Sequence, residues 1–298
     1  MKIKFVISLL LTFLLTFSSI GQTSRFVSIE GHRGSRGHLP ENTIPSFLLA
    51  IDQGSDTLEL DVVVSKDKKI VVSHEPWFSH LISTGPNGEP ITKETERDHN
   101  IYKLTVAEIA KYDVGSIGNV GFPGQKPLKV AKPLMTEMFK AVEKYVKDKK
   151  LKPVRYNVEI KSNPAGDGTF HPAPEEFAKL VLADIKKHKL EKRVIVQSFD
   201  VRPLQEIKKT SPNISLALLV SGNERLTEKL DSLGFVPDTL SPHFSLVNEE
   251  LVKLCREKGM KLVPWTVNEI TDLEKMKTFD LDGIITDYPD RAVKVFRR

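Results

Sequence analysis

The chain is 298 residues long, carries a formal charge of +5 and contains one cysteine, Cys255. Its basic residues are spread through helix-like stretches such as 140–150 and 179–192 rather than gathered into an aromatic-studded patch, so nucleic acid is not an expected partner. A lone cysteine offers no intrachain disulfide, and stability must come from a packed core, which a chain of this size can build.

Met1-Lys2-Ile3-Lys4 precedes an apolar run over 5–17, and Ser18, Ser19 and Gly21 follow it. That is the pattern of a secretory signal peptide, residues 1–21, with cleavage expected near Gly21. The run falls short of the roughly 20 apolar residues a bilayer span needs, so no stable membrane anchor is expected. Residues 22–298 then read as an exported domain, periplasmic or secreted.

Beyond the leader, short β-branched runs alternate with amphipathic stretches, the signature of an α/β fold. Strands are expected at 26–33, 57–64, 69–75, 154–160, 194–199, 215–220, 238–242, 261–267 and 282–287. Helical periodicity occupies 43–53, 133–148, 174–188, 201–210, 223–232, 247–258, 269–278 and 289–297. Only Ser65 to Lys68 separate the second and third strands, too few for a parallel crossover, so these two form an antiparallel hairpin. The remaining strands are spaced for helices between them. The expected architecture is a single (β/α)8 TIM-type barrel with an extra antiparallel hairpin strand, an open doubly wound sheet being the alternative. Residues 76–132 are irregular and rich in Gly and Pro, with one helix-like piece at 105–112. An insertion of that length is expected to shape the substrate pocket.

The C-terminal ends of barrel strands build the active site. Gly31-His32-Arg33-Gly34 lies at such an end. In the second strand the two-residue period puts Glu59 and Asp61 on one face, with Leu58, Leu60, Val62 and Val64 on the other. Two inward carboxylates cost several kcal/mol unless neutralised, and a hard divalent cation bound through oxygen is the natural compensation. Asn157, Glu159 and Lys161 repeat the device, Glu159 offering a third carboxylate and Lys161 a cation for an anionic substrate; a structural Glu159–Lys161 pair is the competing reading. Pairing 57–64 with 69–75 about Lys66-Asp67 is expected to place His74 opposite Glu59. Metal, arginine, lysine and two histidines around one barrel mouth suit phosphoryl chemistry. No Walker motif, dinucleotide fingerprint or nucleophile elbow is present. The other histidines lack zinc-type spacing, and Cys255 reads as a buried helix residue.

These segments, with Pro40-Glu41-Asn42-Thr43, Val71-Val72-Ser73-His74, Gln197-Ser198-Phe199-Asp200, Trp265-Thr266-Val267-Asn268 and Asp282 through Pro289, resemble the glycerophosphodiester phosphodiesterase family. The resemblance spans about residues 28–290. It implies a barrel enzyme that hydrolyses a small-molecule glycerophosphodiester to an alcohol and sn-glycerol 3-phosphate. It further implies His32 and His74 as acid–base residues, and Glu59, Asp61 and Glu159 as ligands of one divalent cation, Ca2+ or Mg2+. Arg33, Lys161 and Trp265 are implied at the substrate. Glu75 stands where the family commonly has Asp and is expected to support the hairpin. Glu41 and Asn42 are expected to fix the loop and cap the helix beginning near Thr43. A phospholipase-like phosphodiesterase or lyase, and a non-catalytic phosphodiester-binding protein, are the rival readings.

Overall fold

The two-residue period of residues 57–64 organises the computed structural model, which describes residues 26–222 and 224–297; the expected leader lies outside them. Its strands are β1 (Ser28–Gly31), β2 (Thr57–Val64), β3 (Ile70–Val72), β4 (Arg155–Ile160), β5 (Val194–Ser198), β6 (Ser215–Val220), β7 (Thr239–Pro242), β8 (Lys261–Leu262) and β9 (Gly283–Thr286). Its helices are α1 (Ile44–Asp52), α2 (Val106–Ile109), α3 (Met135–Asp148), α4 (Pro174–Lys187), α5 (Val201–Thr210), α6 (Leu226–Leu233), α7 (Glu249–Lys258), α8 (Ile270–Lys277) and α9 (Pro289–Phe296). The strands pair in the order β8-β7-β6-β5-β4-β2-β1-β9, all parallel, with β3 antiparallel to β2. Backbone bonds from Asp282 N to Leu262 O (3.0 Å), Ile285 N to Pro264 O (2.9 Å) and Val267 N to Ile285 O (3.0 Å) bring the two ends together into a nearly closed (β/α)8 barrel. Among the described residues no helix is long and apolar enough to cross a membrane.

Leu58, Leu60, Val62 and Val64 of β2 pack outward with Phe139 and Val142 of α3 and Phe47 of α1 in the main core. Glu59 and Asp61 consequently face the barrel interior. Three strands stop two or more residues short of their expected C-terminal ends. β1 stops at Gly31, because Arg33 (φ 51°) and Gly34 (φ 87°) turn the chain back onto α1. A Cβ at Gly34 would sit 2.6 Å from Ser46 Oγ and 2.8 Å from Phe47 N, so only glycine fits there. β8 shrinks to two residues, since Pro264 has no N–H to give a ladder.

The third difference is in the hairpin. Its register pairs Val62 with Val72 and Val64 with Ile70, and Ser73 N donates to Asp61 O. Ser73, and not His74, is therefore carried toward the carboxylates by the strand. β3 ends because Ser73 Oγ bonds Glu75 O at 2.6 Å ahead of Pro76, and His74 arrives from that bend. Residues 76–132 cover the hairpin with a second core of Val63, Val71, Phe78, Ile91, Ile101, Ile109, Tyr112 and Val114. The Phe78 and Tyr112 rings stack at 3.7 Å. The helix-like piece expected at 105–112 is the one-turn α2, closed by a capping box between Thr105 and Glu108.

Candidate active site

The parallel register of β2 and β4 sets Asp61 beside Glu159 and Glu59 beside Asn157. Glu59, Asp61 and Glu159 are all buried, and each offers an oxygen within 4.8 Å of the others. Among the described residues they are the one such group of three that can hold a metal ion. Glu59 accepts from Arg33 N (2.9 Å) and Gln197 Nε2 (3.0 Å). Asp61 Oδ2 accepts from Asn42 Nδ2 (2.8 Å), whereas Asp61 Oδ1 is buried without a hydrogen bond. Burial and the two neighbouring carboxylates push the Glu59 carboxyl well above its ordinary range. Burial also raises Glu159, against the pull of Lys161. Asp61 shows the opposite balance: burial opposes its ionisation, but Arg33, His74 and Lys161 hold it below the usual carboxylate range.

An orphaned carboxylate oxygen amid two carboxyls that resist ionisation is the environment a hard cation would relieve, and an all-oxygen donor set suits Ca2+ or Mg2+. Lys161 partly fills that need, its ammonium lying 2.7 Å from Glu159 Oε1 and 3.7 Å from Asp61 Oδ1. The Glu159–Lys161 pair thus exists beside the acidic cluster rather than in place of it.

Both histidines face the same cavity of about 310 Å³, which Arg33, Arg36, Glu59, Glu159, Lys161 and Trp265 also line. His32 follows β1, and its Nδ1 lies 2.7 Å from Asp287 Oδ1. Asp287 is itself fixed by Asn268 Nδ2 at 2.7 Å. Burial lowers the His32 imidazole from its ordinary value, against the attraction of Asp287. His74 Nδ1 is 2.6 Å from Glu75 Oε1. Although burial opposes it, the bond and charge of His74 hold the Glu75 carboxyl down to about 2. Glu75 therefore holds a histidine, where a supporting role in the hairpin was expected.

Arg33 Nη1 donates to Glu41 at 2.7 Å and its Nε lies 3.2 Å from Asp61. Trp265 is tied by Nε1 to Ser241 O (2.8 Å) and meets Phe199 edge-on at 5.4 Å. Thr43 caps α1. Asn42, in a left-handed conformation at φ 57°, points its amide at Asp61, so the expectation that Glu41 and Asn42 cap the helix is corrected. Glu41 anchors Arg33 and also Arg36, 2.6 Å away.

Sequence reasoning named Gln197, Asn268 and Asp287 only as parts of motifs, without roles. Gln197 carried a readable signal, a lone amide near the end of the apolar strand Val194–Ser198. Asn42 gave none, because an Asn before a helix reads first as a cap. The remaining histidines lie outside the carboxylate group; His80, for example, pairs with Glu96 at 2.7 Å. Cys255 is buried in α7.

A model of the glycerophosphoryl diester phosphodiesterase family matches residues 32–291. A glycerophosphodiester phosphodiesterase of Caldanaerobacter subterraneus subsp. tengcongensis is 33% identical over 268 residues, covering 90% of this chain and 96% of that one. One from Bacillus subtilis is 30% identical, covering 98% of this chain and 96% of that one. Among solved structures, one from Silicibacter pomeroyi carrying the same family's name superposes with a TM-score of 0.81 at 31% identity, over 93% of this chain and 95% of that one. An Oleispira antarctica phosphodiesterase, solved with its product sn-glycerol-3-phosphate, shares the fold at a TM-score of 0.70 and 24% identity, over 91% of this chain and 97% of that one.

Proposed function

This chain belongs to the glycerophosphoryl diester phosphodiesterase family, and from that premise we propose that its barrel mouth hydrolyses glycerophosphodiesters to an alcohol and sn-glycerol 3-phosphate by acid–base catalysis between His32 and His74. The observation that carries this reading is the convergence on one cavity of two carboxylate-held histidines with Glu59 and Glu159, Asp61 lying buried against those two carboxylates.

Asp287 accepts a hydrogen bond from His32 Nδ1–H, which leaves Nε2 as the basic nitrogen, and burial keeps that ring neutral. A neutral imidazole so oriented accepts the proton of the attacking hydroxyl, either water or a hydroxyl of the substrate's own glycerol. On the other side, the ionised Glu75 orients His74 so that its Nε2 proton can pass to the departing alkoxide as the P–O bond breaks. Arg33 and Lys161 supply positive charge for phosphate oxygens, while Glu41 keeps the guanidinium in place. Trp265, pinned through its indole N–H, lines the same cavity and offers an apolar surface to the substrate. Glu59, Asp61 and Glu159 would hold Ca2+ or Mg2+, which when bound supplies Lewis-acid neutralisation of phosphate charge. Export to the periplasm or beyond belongs to the same reading, supported by the leader pattern of residues 1–21; retention of the uncleaved chain in the cytosol would contradict it.

The test is a panel of glycerophosphodiesters and intact phospholipids, with Ca2+ or Mg2+ added to EDTA-treated protein and glycerol 3-phosphate as the readout. Release from glycerophosphodiesters is expected. Activity confined to intact phospholipid would move the protein to the phospholipase-like reading, and binding without release would make it a binding protein.

A further inference from the structure

The cavity that holds His32 does not end at His74. His74, Glu159, Lys161 and Phe199 line both it and a second space of about 480 Å³, the outer chamber. Trp77 and Arg97 from residues 76–132, together with Asn163, Phe170 and His171 from the segment after β4, bound the outer chamber. A phosphodiester centred on the shared residues therefore sends one substituent into each space. His32 lines only the inner space, whereas His74 stands at the junction, the side from which a proton reaches a leaving oxygen directed outward.

We infer that the outer chamber receives the leaving alcohol and favours one carrying its own anionic group, a phosphate or a carboxylate. This deepens the phosphodiesterase reading and rests on it. Among the described residues the chamber's one carboxylate is Glu159, and Lys161 already engages it at 2.7 Å. Arg97 is exposed, and among the described residues no carboxylate pairs with it; its guanidinium instead lies 5.0 Å from the centroid of the Trp77 ring. Two of the aromatic rings carry cations of the protein itself. Arg97 covers Trp77, and the ammonium groups of Lys161 and Lys229 lie 5.9 and 5.2 Å from the centroid of Phe199. Phe170 meets Trp77 edge-on at 5.3 Å. A quaternary ammonium is normally held by open aromatic faces or by carboxylates; here Trp77 and Phe199 already carry the protein's own cations. An anionic group instead finds an unpaired guanidinium, stacked in place and ready to bind in a fork.

Matched substrates isolate the effect. Glycerophosphoserine and glycerophosphoethanolamine differ by one carboxylate, and glycerophosphoinositol with and without a ring phosphate differ by one phosphate, so the two arms separate the two anionic groups. In each pair the anionic member should have the higher kcat/KM, by about fivefold for a contact of ~1 kcal/mol, and the advantage should shrink with added salt. In Arg97→Gln the ratio should fall toward one, and Arg97→Lys should restore part of it. Reading the same pairs as Kd in EDTA keeps the test informative even where nothing is turned over. Absence of glycerol 3-phosphate from every substrate would sink the phosphodiesterase reading. A ratio near one in the wild type by both readouts, or one that Arg97→Gln leaves untouched, would overturn the inference itself.

Discussion

His32 and His74 face one cavity but hang from different kinds of support. His32 sits at the end of β1, and its partner Asp287 comes from the end of β9, 255 residues away, and is itself pinned by Asn268 after β8. The His32 side chain is 13% exposed and that of Asp287 3%. His74 is held by its sequence neighbour Glu75, and both side chains are about twice as open or more, at 30% and 28%. A ring fixed by three strand ends keeps its orientation for as long as the barrel is folded, while a ring fixed by one bend depends on the residues around that bend, including the covering segment 76–132.

The largest expected effect comes from removing either ring. His32→Ala and His74→Ala should each lower turnover by roughly 10²- to 10⁴-fold with the fold intact by circular dichroism, and near-normal turnover in either would remove its assigned role. Their supports should then separate. Asp287→Asn should cost about a hundredfold in kcat, because an amide at that site can present a donor to Nδ1 and so disfavour the productive tautomer. Glu75→Gln should cost nearer tenfold, and a larger loss there than in Asp287→Asn would reverse the comparison.

Gln197 gives a third contrast, since it touches a carboxylate rather than a histidine. Gln197→Leu should weaken Ca2+ or Mg2+ binding by about ten- to a hundredfold, in the range of residues that orient metal ligands, and unchanged affinity in a calorimetric titration would show that Glu59 needs no such support.

The smallest expected effect on catalysis, though a measurable one on stability, lies at Glu30. Asn157 Nδ2 donates to both Glu30 (2.9 Å) and Gln197 (3.1 Å). Burial raises the Glu30 carboxyl to about 7, against the opposing bond from Asn157. The folded protein thus holds this proton more tightly than the unfolded chain does. The contribution of this group is full below about pH 4.5 and is lost as pH rises through 7, a decline of about 3 kcal/mol. Glu30→Gln should abolish that decline and gain stability at pH 8. A variant less stable than wild type at pH 8 would contradict a raised Glu30 carboxyl.

Much of this was legible in the chain. The alternation of residues 57–64 fixed which carboxylates face inward, and the short Ser65 to Lys68 connection required a hairpin. Parity was not legible. A shift of one residue in pairing decides whether Ser73 or His74 meets the carboxylates, and nothing local to the hairpin specifies it. The bonds of Asn42 to Asp61 and of Asp287 to His32 also escaped sequence reasoning, because they join distant loops that only barrel closure brings together. Pro264 was visible, but its shortening of β8 depends on which neighbours would have paired with it.

On the proposed reading, Glu59, Asp61 and Glu159 would hold one catalytic cation beside the two histidines. Calorimetric titration of EDTA-treated protein with Ca2+ or Mg2+, run alongside glycerol 3-phosphate release, addresses it directly. One ion per chain should bind and restore release together, and Asp61→Asn should weaken both. Full release in EDTA, or ion binding that Asp61→Asn leaves unchanged, would contradict it.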